Sequence, residues 1–254
     1  MAEELIVEVT DGVQVMTLNR PEARNAATLA LSQAMARALD ELDAREDVRI
    51  GVITGAGGNF CAGMDLKGFL RGERPAVEGR GFAGLNEAPP KKPLIAAVEG
   101  YALAGGFEMV LACDLIVAAD NANFGLPEVK RGLMATAGGL LRLPQRLPYH
   151  LALEYILTGA MLPAAVAHRH GLVNRLTPPG QALQQALELA RTIAANGPLA
   201  VMNSKRVVVE SASWPQDERF QRQRAIAAPV FASADAREGA KAFAEKRAPV
   251  WQGK

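Results

Sequence analysis

Short apolar runs recur along the first two thirds of this chain, and glycine or proline closes several of them. Residues 13–18 (VQVMTL) end at Asn19-Arg20-Pro21, residues 48–54 (VRIGVIT) at Gly55, Gly57 and Gly58, and residues 94–98 (LIAAV) at Gly100. Residues 115–119 (LIVAA) form another, and residues 171–176 (GLVNRL) a last one. Runs of this length, separated by helical stretches, read as buried strands of an α/β body. Thr28 is placed to N-cap a helix over roughly 29–46, whose apolar stripe is Leu31, Met35, Leu39 and Leu42. Further helical stretches are expected near 105–113, over 137–159 with breaks at Pro144 and Pro148, and over 162–170. Residues 122–128 read as turn-rich. Residues 71–92, rich in Gly, Arg and Pro, read as a loop or an unplaced helix and a site of mobility. From residue 180 onward the pattern is helical, so residues 1–195 form an α/β core and residues 196–254 a helical C-terminal region. Asp235 and Glu238 stand at capping-box spacing at the last helix.

Composition narrows the function. Of 254 residues, 28 are Lys or Arg and 27 are Asp or Glu, a formal net charge of +1. Such a chain has no overall field to attract a polyanion. Aromatic residues make up 5%, a poor base-stacking platform. Cys61 and Cys113 form no CxxC pair or disulfide framework. The start, MAEELIVEVT, resembles neither a signal nor a transit peptide. Glu108 and Asp114 interrupt the best apolar run. A soluble cytoplasmic protein that binds neither nucleic acid nor membrane is expected.

Two glycine-rich turns are the strongest candidates for chemistry. They are Gly55–Lys67 (GAGGNFCAGMDLK) and Gly100–Glu108 (GYALAGGFE), each following an apolar strand. Glycine lets the backbone approach a ligand closely, and a helix start supplies unpaired N–H groups. Brought together, such turns can aim two N–H groups at one oxygen where negative charge develops. On glycine count alone, two ordinary tight turns is the commoner reading. A dinucleotide fingerprint fails because Phe60 stands at the third glycine, and no GxxxxGK[ST] is present.

Two carboxylates stand out. Glu108 lies in the first turn of the expected helix after Gly105-Gly106, and Glu128 follows Gly125-Leu126-Pro127. Both have apolar neighbours, and burial together with a second close carboxyl raises a carboxyl pKa toward neutrality. Such a pair can divide acid and base roles. Taken singly, Glu108 also reads as a helix-start acid and Glu128 as a solvated loop acid. The only histidines are His150, His168 and His170. No Cys or carboxylate stands near His168-x-His170, so a cationic helix cap is expected there and no metal. There is no GxSxG.

These residues together resemble the crotonase, or enoyl-CoA hydratase/isomerase, superfamily over essentially the whole chain. The stretches that carry the likeness are LNRPEARNA (18–26), GNFCAGMDLKGF (58–69), KPLIAAVEGYALAGGFEMVLACDLIVAAD (92–120), NFGLPEVKRG (123–132), GGLLRLPQ (138–145), LTGAMLPAAVAHRHGLVNRL (157–176) and EGAKAFAEKR (238–247). The resemblance implies a spiral of β-β-α turns and a C-terminal helical region that assembles trimers or dimers of trimers. It implies an acyl-coenzyme A thioester substrate, with no metal and no cofactor beyond the coenzyme A of the substrate. Met64 and Gly105 would supply the backbone oxyanion hole, and Glu108 and Glu128 the catalytic pair. Ala23, Arg24, Ala62, Met64, Asp65, Leu66 and Lys67 would flank the coenzyme, with Phe243 and Lys246 reaching the nucleotide of a neighbouring subunit. Retention of both glutamates favours reversible hydration of a 2-enoyl-CoA. In the family's hydratases Pro-Gly commonly follows the second glutamate; here Ala135-Thr136 stands in its place, which bears on the local backbone and any water it holds. The segment Gly81–Glu87 and the run Gly138–Pro144 are also similar to carnitinyl-CoA dehydratases. A polar acyl group is one expectation; a plain aliphatic pocket of Phe82, Leu126, Leu133 and Met134 is the other. Enoyl-CoA isomerase and a non-catalytic acyl-CoA-binding protein are the remaining alternatives.

Overall fold

In the computed structural model, which describes residues 3–254, the chain begins with an antiparallel hairpin of β1 (Leu5–Thr10) and β2 (Val13–Leu18). The sequence pattern marks only the second. β1 is an edge strand: Leu5 is buried while Ile6, Val7 and Glu8 are exposed, so its burial does not follow its apolar residues. Next comes α1 (Leu29–Ala44). Thr28 Oγ1 accepts the Leu31 N–H at 3.1 Å, and the whole stripe of Leu31, Met35, Leu39 and Leu42 is buried. β3 (Ile50–Gly55) follows, then the short α2 (Leu66–Leu70), capped by Asp65.

The 71–92 stretch is neither a helix nor a bare loop. It folds into a small hairpin of β4 (Ala76–Val77) and β5 (Gly81–Phe82). Ala83, Leu85 and Asn86 beyond it are buried, which ties the segment to the body. β6 (Leu94–Val98), β7 (Tyr101–Leu103) and α3 (Gly105–Ala112) form the next turn of chain. β8 (Leu115–Ala119) and β9 (Asn123–Gly125) repeat it, and a 3-10 turn at Pro127–Arg131 follows. The 137–159 tract is two helices, α4 (Gly139–Arg146) and α5 (Tyr149–Thr158). Pro144 is accommodated inside the first, and the break comes at Leu147-Pro148. β10 (Leu162–Pro163), α6 (Ala164–Arg169) and β11 (Arg175–Thr177) lead to α7 (Ala182–Ala194), α8 (Pro198–Glu210), α9 (Arg219–Ala232) and α10 (Ala234–Ala244).

The main sheet runs β1-β2-β3-β6-β8-β11 and is parallel from β2 onward. A second sheet, β10-β9-β7, is extended by a bridge from Ala102 to Cys61. Each turn of chain therefore lays one strand in the main sheet, crosses to the second layer and returns through a helix: a spiral of β-β-α turns. α7 covers one face of the main sheet, where Val52, Ile95 and Val117 meet Ala186 and Ala190. The larger core fills the other face. Strands buried on both faces read as continuous apolar runs, which is why β3, β6 and β8 stand out in the sequence.

At the C-terminus the capping box is absent. Ser233 caps α10 through the Ala236 N–H at 3.0 Å. Asp235 instead accepts the Gln252 and Gly253 N–H groups at 2.7 and 2.9 Å, and Glu238 pairs with Arg247. α8–α10 leave Val208, Val209, Phe220, Phe231 and Phe243 exposed.

Candidate active site

The two glycine-rich turns meet. Ala27 bridges the first: its N–H donates to the Gly63 carbonyl at 2.7 Å, and its carbonyl accepts the Asp65 N–H at 3.0 Å. Met64, between them, turns its N–H the other way, to no acceptor among the described residues. In the second turn Ala104 adopts φ 51°, ψ −129°, an unusual conformation for a residue with a Cβ. Its N–H is held by the Gly125 carbonyl at 2.8 Å. Gly105 then opens α3, so its N–H lacks an intrahelical acceptor. Gly63, Gly105 and Gly106 are each required by a close approach. A Cβ on Gly105 would lie 2.4 Å from the Phe82 ring, one on Gly106 2.2 Å from the Cys61 carbonyl oxygen, and one on Gly63 2.9 Å from Ala104 Cβ. Met64 and Gly105 line one cavity of about 390 Å³.

The same cavity receives both glutamates. Glu108 is 3% exposed, and its Oε1 accepts the Gly139 N–H at 2.8 Å. Burial pushes its carboxyl up to about 7, and the charge of Glu128 adds to this; the Gly139 and Ala137 N–H groups and Arg142 oppose it. Glu128, on the 3-10 turn, is half-buried and also pushed up by burial, against its own backbone N–H and Arg131. Its Oε2 is buried with no partner among the described residues. A carboxyl oxygen left unpaired in a cavity is available to a substrate or a water. At Ala135-Thr136 the chain buries Ala135 and places Thr136 on the cavity wall, and the Leu133 N–H returns to the Glu128 carbonyl at 3.1 Å.

The remaining sequence candidates divide. Phe82, Leu133 and Met134 line the cavity, as do Ala62 and Leu66. Leu126 does not: it is 3% exposed in the core, where it packs behind Gly139. Arg24 lies beside the cavity rim, its carbonyl accepting the Ala62 N–H at 3.0 Å, and Ala23 precedes it. Asp65 caps α2 and pairs with Arg20 at 2.9 Å, and those hydrogen bonds, the Gly68 N–H foremost, hold its carboxyl below the usual range. Lys67 is exposed on α2. Phe243, in the last turn of α10, and Lys246, just beyond it, are exposed and line no part of this cavity. His168 Nδ1 lies 2.8 Å from the Val173 carbonyl oxygen, beyond the helix end, and α6 is capped by the backbone N–H of His170. Among the described residues no His/Cys/Asp/Glu group could hold a metal, and no helix is long and apolar enough to cross a membrane.

Several wall residues carry no signal in the sequence. Arg74, stacked 4.4 Å over the Phe69 ring, and Arg131 both line the cavity. Gly139 was open to notice, since Gly138-Gly139 offers a flexible turn into a helix start like Gly105-Gly106.

Known proteins resemble this chain along its whole length. A family model described as enoyl-CoA hydratase/isomerase matches residues 8–254. The chain is 43% identical over 260 residues to the enoyl-CoA hydratase EchA19 of Mycobacterium tuberculosis, covering 98% of this chain and 96% of that one. It is 41% identical over 262 residues to the carnitinyl-CoA dehydratase of Salmonella typhi, covering 100% of each. Among solved structures it is similar to the enoyl-CoA hydratase EchA1 of Mycobacterium marinum, with TM-score 0.98, 57% identity and 100% of both chains covered. In fold and in sequence, then, the chain belongs to the enoyl-CoA hydratase/isomerase family, the crotonases.

Proposed function

We propose that this protein catalyses the reversible hydration of a 2-enoyl-CoA to a 3-hydroxyacyl-CoA. One observation carries the reading: Glu108 and Glu128 share a cavity with the free N–H groups of Met64 and Gly105. The thioester oxygen sits between those two N–H groups, which stabilise the charge it gains when C3 is attacked. Glu108, its Oε1 held by Gly139, takes a proton from a water lodged between the carboxyls as that water's oxygen bonds to C3. Glu128 gives a proton to C2. The product has gained one water, and a proton passed from Glu108 back to Glu128 through solvent resets the pair. Dehydration runs the same steps backward. A carboxyl held near 7 suits an exchange of roles near neutral pH.

The coenzyme would lie along Ala23, Arg24, Ala62 and Met64–Lys67, with Lys67 near a phosphate. Asp65 would contribute through its backbone, because its carboxylate is engaged by Arg20 and the α2 cap. Assembly into a trimer or a dimer of trimers would bring Phe243 and Lys246 to a neighbour's nucleotide, and would cover apolar side chains that α8–α10 leave exposed. A cytoplasmic location completes the reading.

Carnitinyl-CoA dehydration is the second reading. The likeness of the Gly81–Glu87 segment, which brings Phe82 to the wall, and the Salmonella typhi relative support it. The wall carries Arg74 and Arg131 beside Glu108 and Glu128, so a quaternary ammonium would meet charges of both signs there. Loss of enoyl-thioester absorbance on addition of a short trans-2-enoyl-CoA tests the assignment, with Glu108→Gln and Glu128→Gln alongside. Turnover that collapses in both variants supports hydration. Turnover untouched in both overturns it. Wild-type activity on carnitinyl-CoA alone favours the second reading, and binding without turnover across a broad panel favours a non-catalytic acyl-CoA-binding protein.

A further inference from the structure

Asn86 is 1% exposed, four residues beyond Phe82, whose carbonyl accepts its N–H at 3.2 Å. Its Nδ2 donates to the Ala137 carbonyl at 3.0 Å. Its own carbonyl accepts from Arg142 Nη2 at 2.6 Å. Its Oδ1 is buried with no partner among the described residues. Burying an amide and satisfying half of it is a net burden on folding, so the bond that it does make calls for an explanation.

That bond ends two residues short of Gly139, the donor to Glu108 Oε1. Gly138, at φ 104°, joins the two. Such a glycine leaves the peptide free to swing unless something outside holds it. Asn86 holds the Ala137 side of the swing. Arg142, in α4, ties the helix that begins at Gly139 back to the Asn86 backbone.

We infer that Asn86 is a positioning residue, whose clamp on the Ala137 carbonyl aims the Gly139 N–H at the Glu108 carboxylate. The assignment rests on Glu108 being the base of the proposed reaction. Groups that face Glu108 are Glu128 from the 3-10 turn and Arg142 from α4, with Arg74 and Arg131 on the same cavity wall. A change of the Asn86 side chain removes none of these charges, and Arg142 bonds the backbone carbonyl of Asn86 rather than its side chain. A slack loop weakens the N–H groups that favour the charged carboxylate, so the Glu108 carboxyl should bind its proton more tightly.

The test compares wild type with Asn86→Leu, which keeps the volume and loses the donor, and Asn86→Thr, which keeps a hydroxyl donor. Two quantities are read: kcat and KM against pH, and the ¹³C titration of the Glu108 carboxyl in glutamate-labelled protein, assigned through Glu108→Gln. Asn86→Leu should lower kcat about tenfold to a hundredfold with little change in KM. It should move the carboxyl midpoint upward by about one pH unit, with Asn86→Thr recovering part of both. An unmoved midpoint overturns the inference, whether kcat is retained or falls along with thermal stability. If Asn86→Leu does not fold, Asn86→Ala reads the same two quantities. Absence of wild-type turnover defeats the hydratase reading alone, because the titration still decides the role of Asn86.

Discussion

The Gly139 amide donates to Glu108 Oε1 at 2.8 Å, joining residues 31 positions apart. A Cβ on Gly139 would lie 3.0 Å from Glu108 Cγ, from Glu108 Oε1 and from Leu126 Cδ1. Gly139→Ala should therefore push the carboxyl off its station without touching the coenzyme rim. Steady-state kinetics should show kcat falling about tenfold or more at nearly constant KM. A rise in KM alone would place the damage in substrate binding.

Glu108→Gln should stabilise the protein, and only at higher pH. The folded carboxyl is held up at about 7, against 4.5 for the ordinary group. Between those values the folded state keeps a proton that the unfolded chain has released, so stability falls as pH rises through that window and stays lower above it. Removing the carboxyl should gain about 3 kcal/mol near pH 8 and little near pH 4.5. Thermal unfolding at the two pH values checks this, and an equal gain at both would refute it.

Gly105→Ala should be damaging because the new methyl would overlap the Phe82 ring at 2.4 Å. Overpacking of this kind costs about 1–3 kcal/mol, and here it would also tilt the start of α3. Adding Phe82→Ala should restore most of the stability. A denaturant double-mutant cycle reads the coupling, and strict additivity would show that the two residues do not conflict.

Asp235→Ala should release the C-terminal tail. Asp235 holds Gln252 and Gly253, and Trp251 Nε1 donates to the Ala195 carbonyl at 2.8 Å. Loss of the clamp should cost about 1–3 kcal/mol and expose residues 248–254 to protease. Limited proteolysis with mass analysis reads the cut. An uncut tail would mean that the remaining bonds, from Trp251 to Ala195, from the Val250 N–H to Glu238 and from the backbone N–H at 235 to the Lys254 carbonyl, suffice to hold it.

Both cysteines should be inert in the folded protein. Burial pushes the Cys61 thiol up to about 11 and Cys113 higher still. Iodoacetamide should label neither thiol until the chain unfolds. Rapid labelling of native protein would contradict their burial.

The elements legible in the sequence are those whose pattern is local. β3, β6 and β8 appear as unbroken apolar runs because both faces are covered, and α1 announces itself through Thr28 and a complete stripe. β1 escaped because an edge strand buries one residue in its run, and β7 and β9 because three-residue strands vanish inside glycine turns. Asp235 reads as part of a cap for a related reason: its partners, Gln252 and Gly253, lie on a tail that its own helix does not predict.

The candidate site divides along the same line. Glu108, Glu128 and the glycines could be singled out by residue type, since few side chains hold a proton near neutrality and only glycine tolerates such close backbone approach. That Phe82 presses on Gly105, that Gly139 holds Glu108, and that Asn86 holds Ala137 were decided by tertiary structure. Each of these contacts joins segments from different turns of the spiral, and hydrogen-bond direction and ring placement leave no periodic trace in either segment. Local spacing sets which residues can do chemistry; the crossing of distant segments sets the distances at which they can do it.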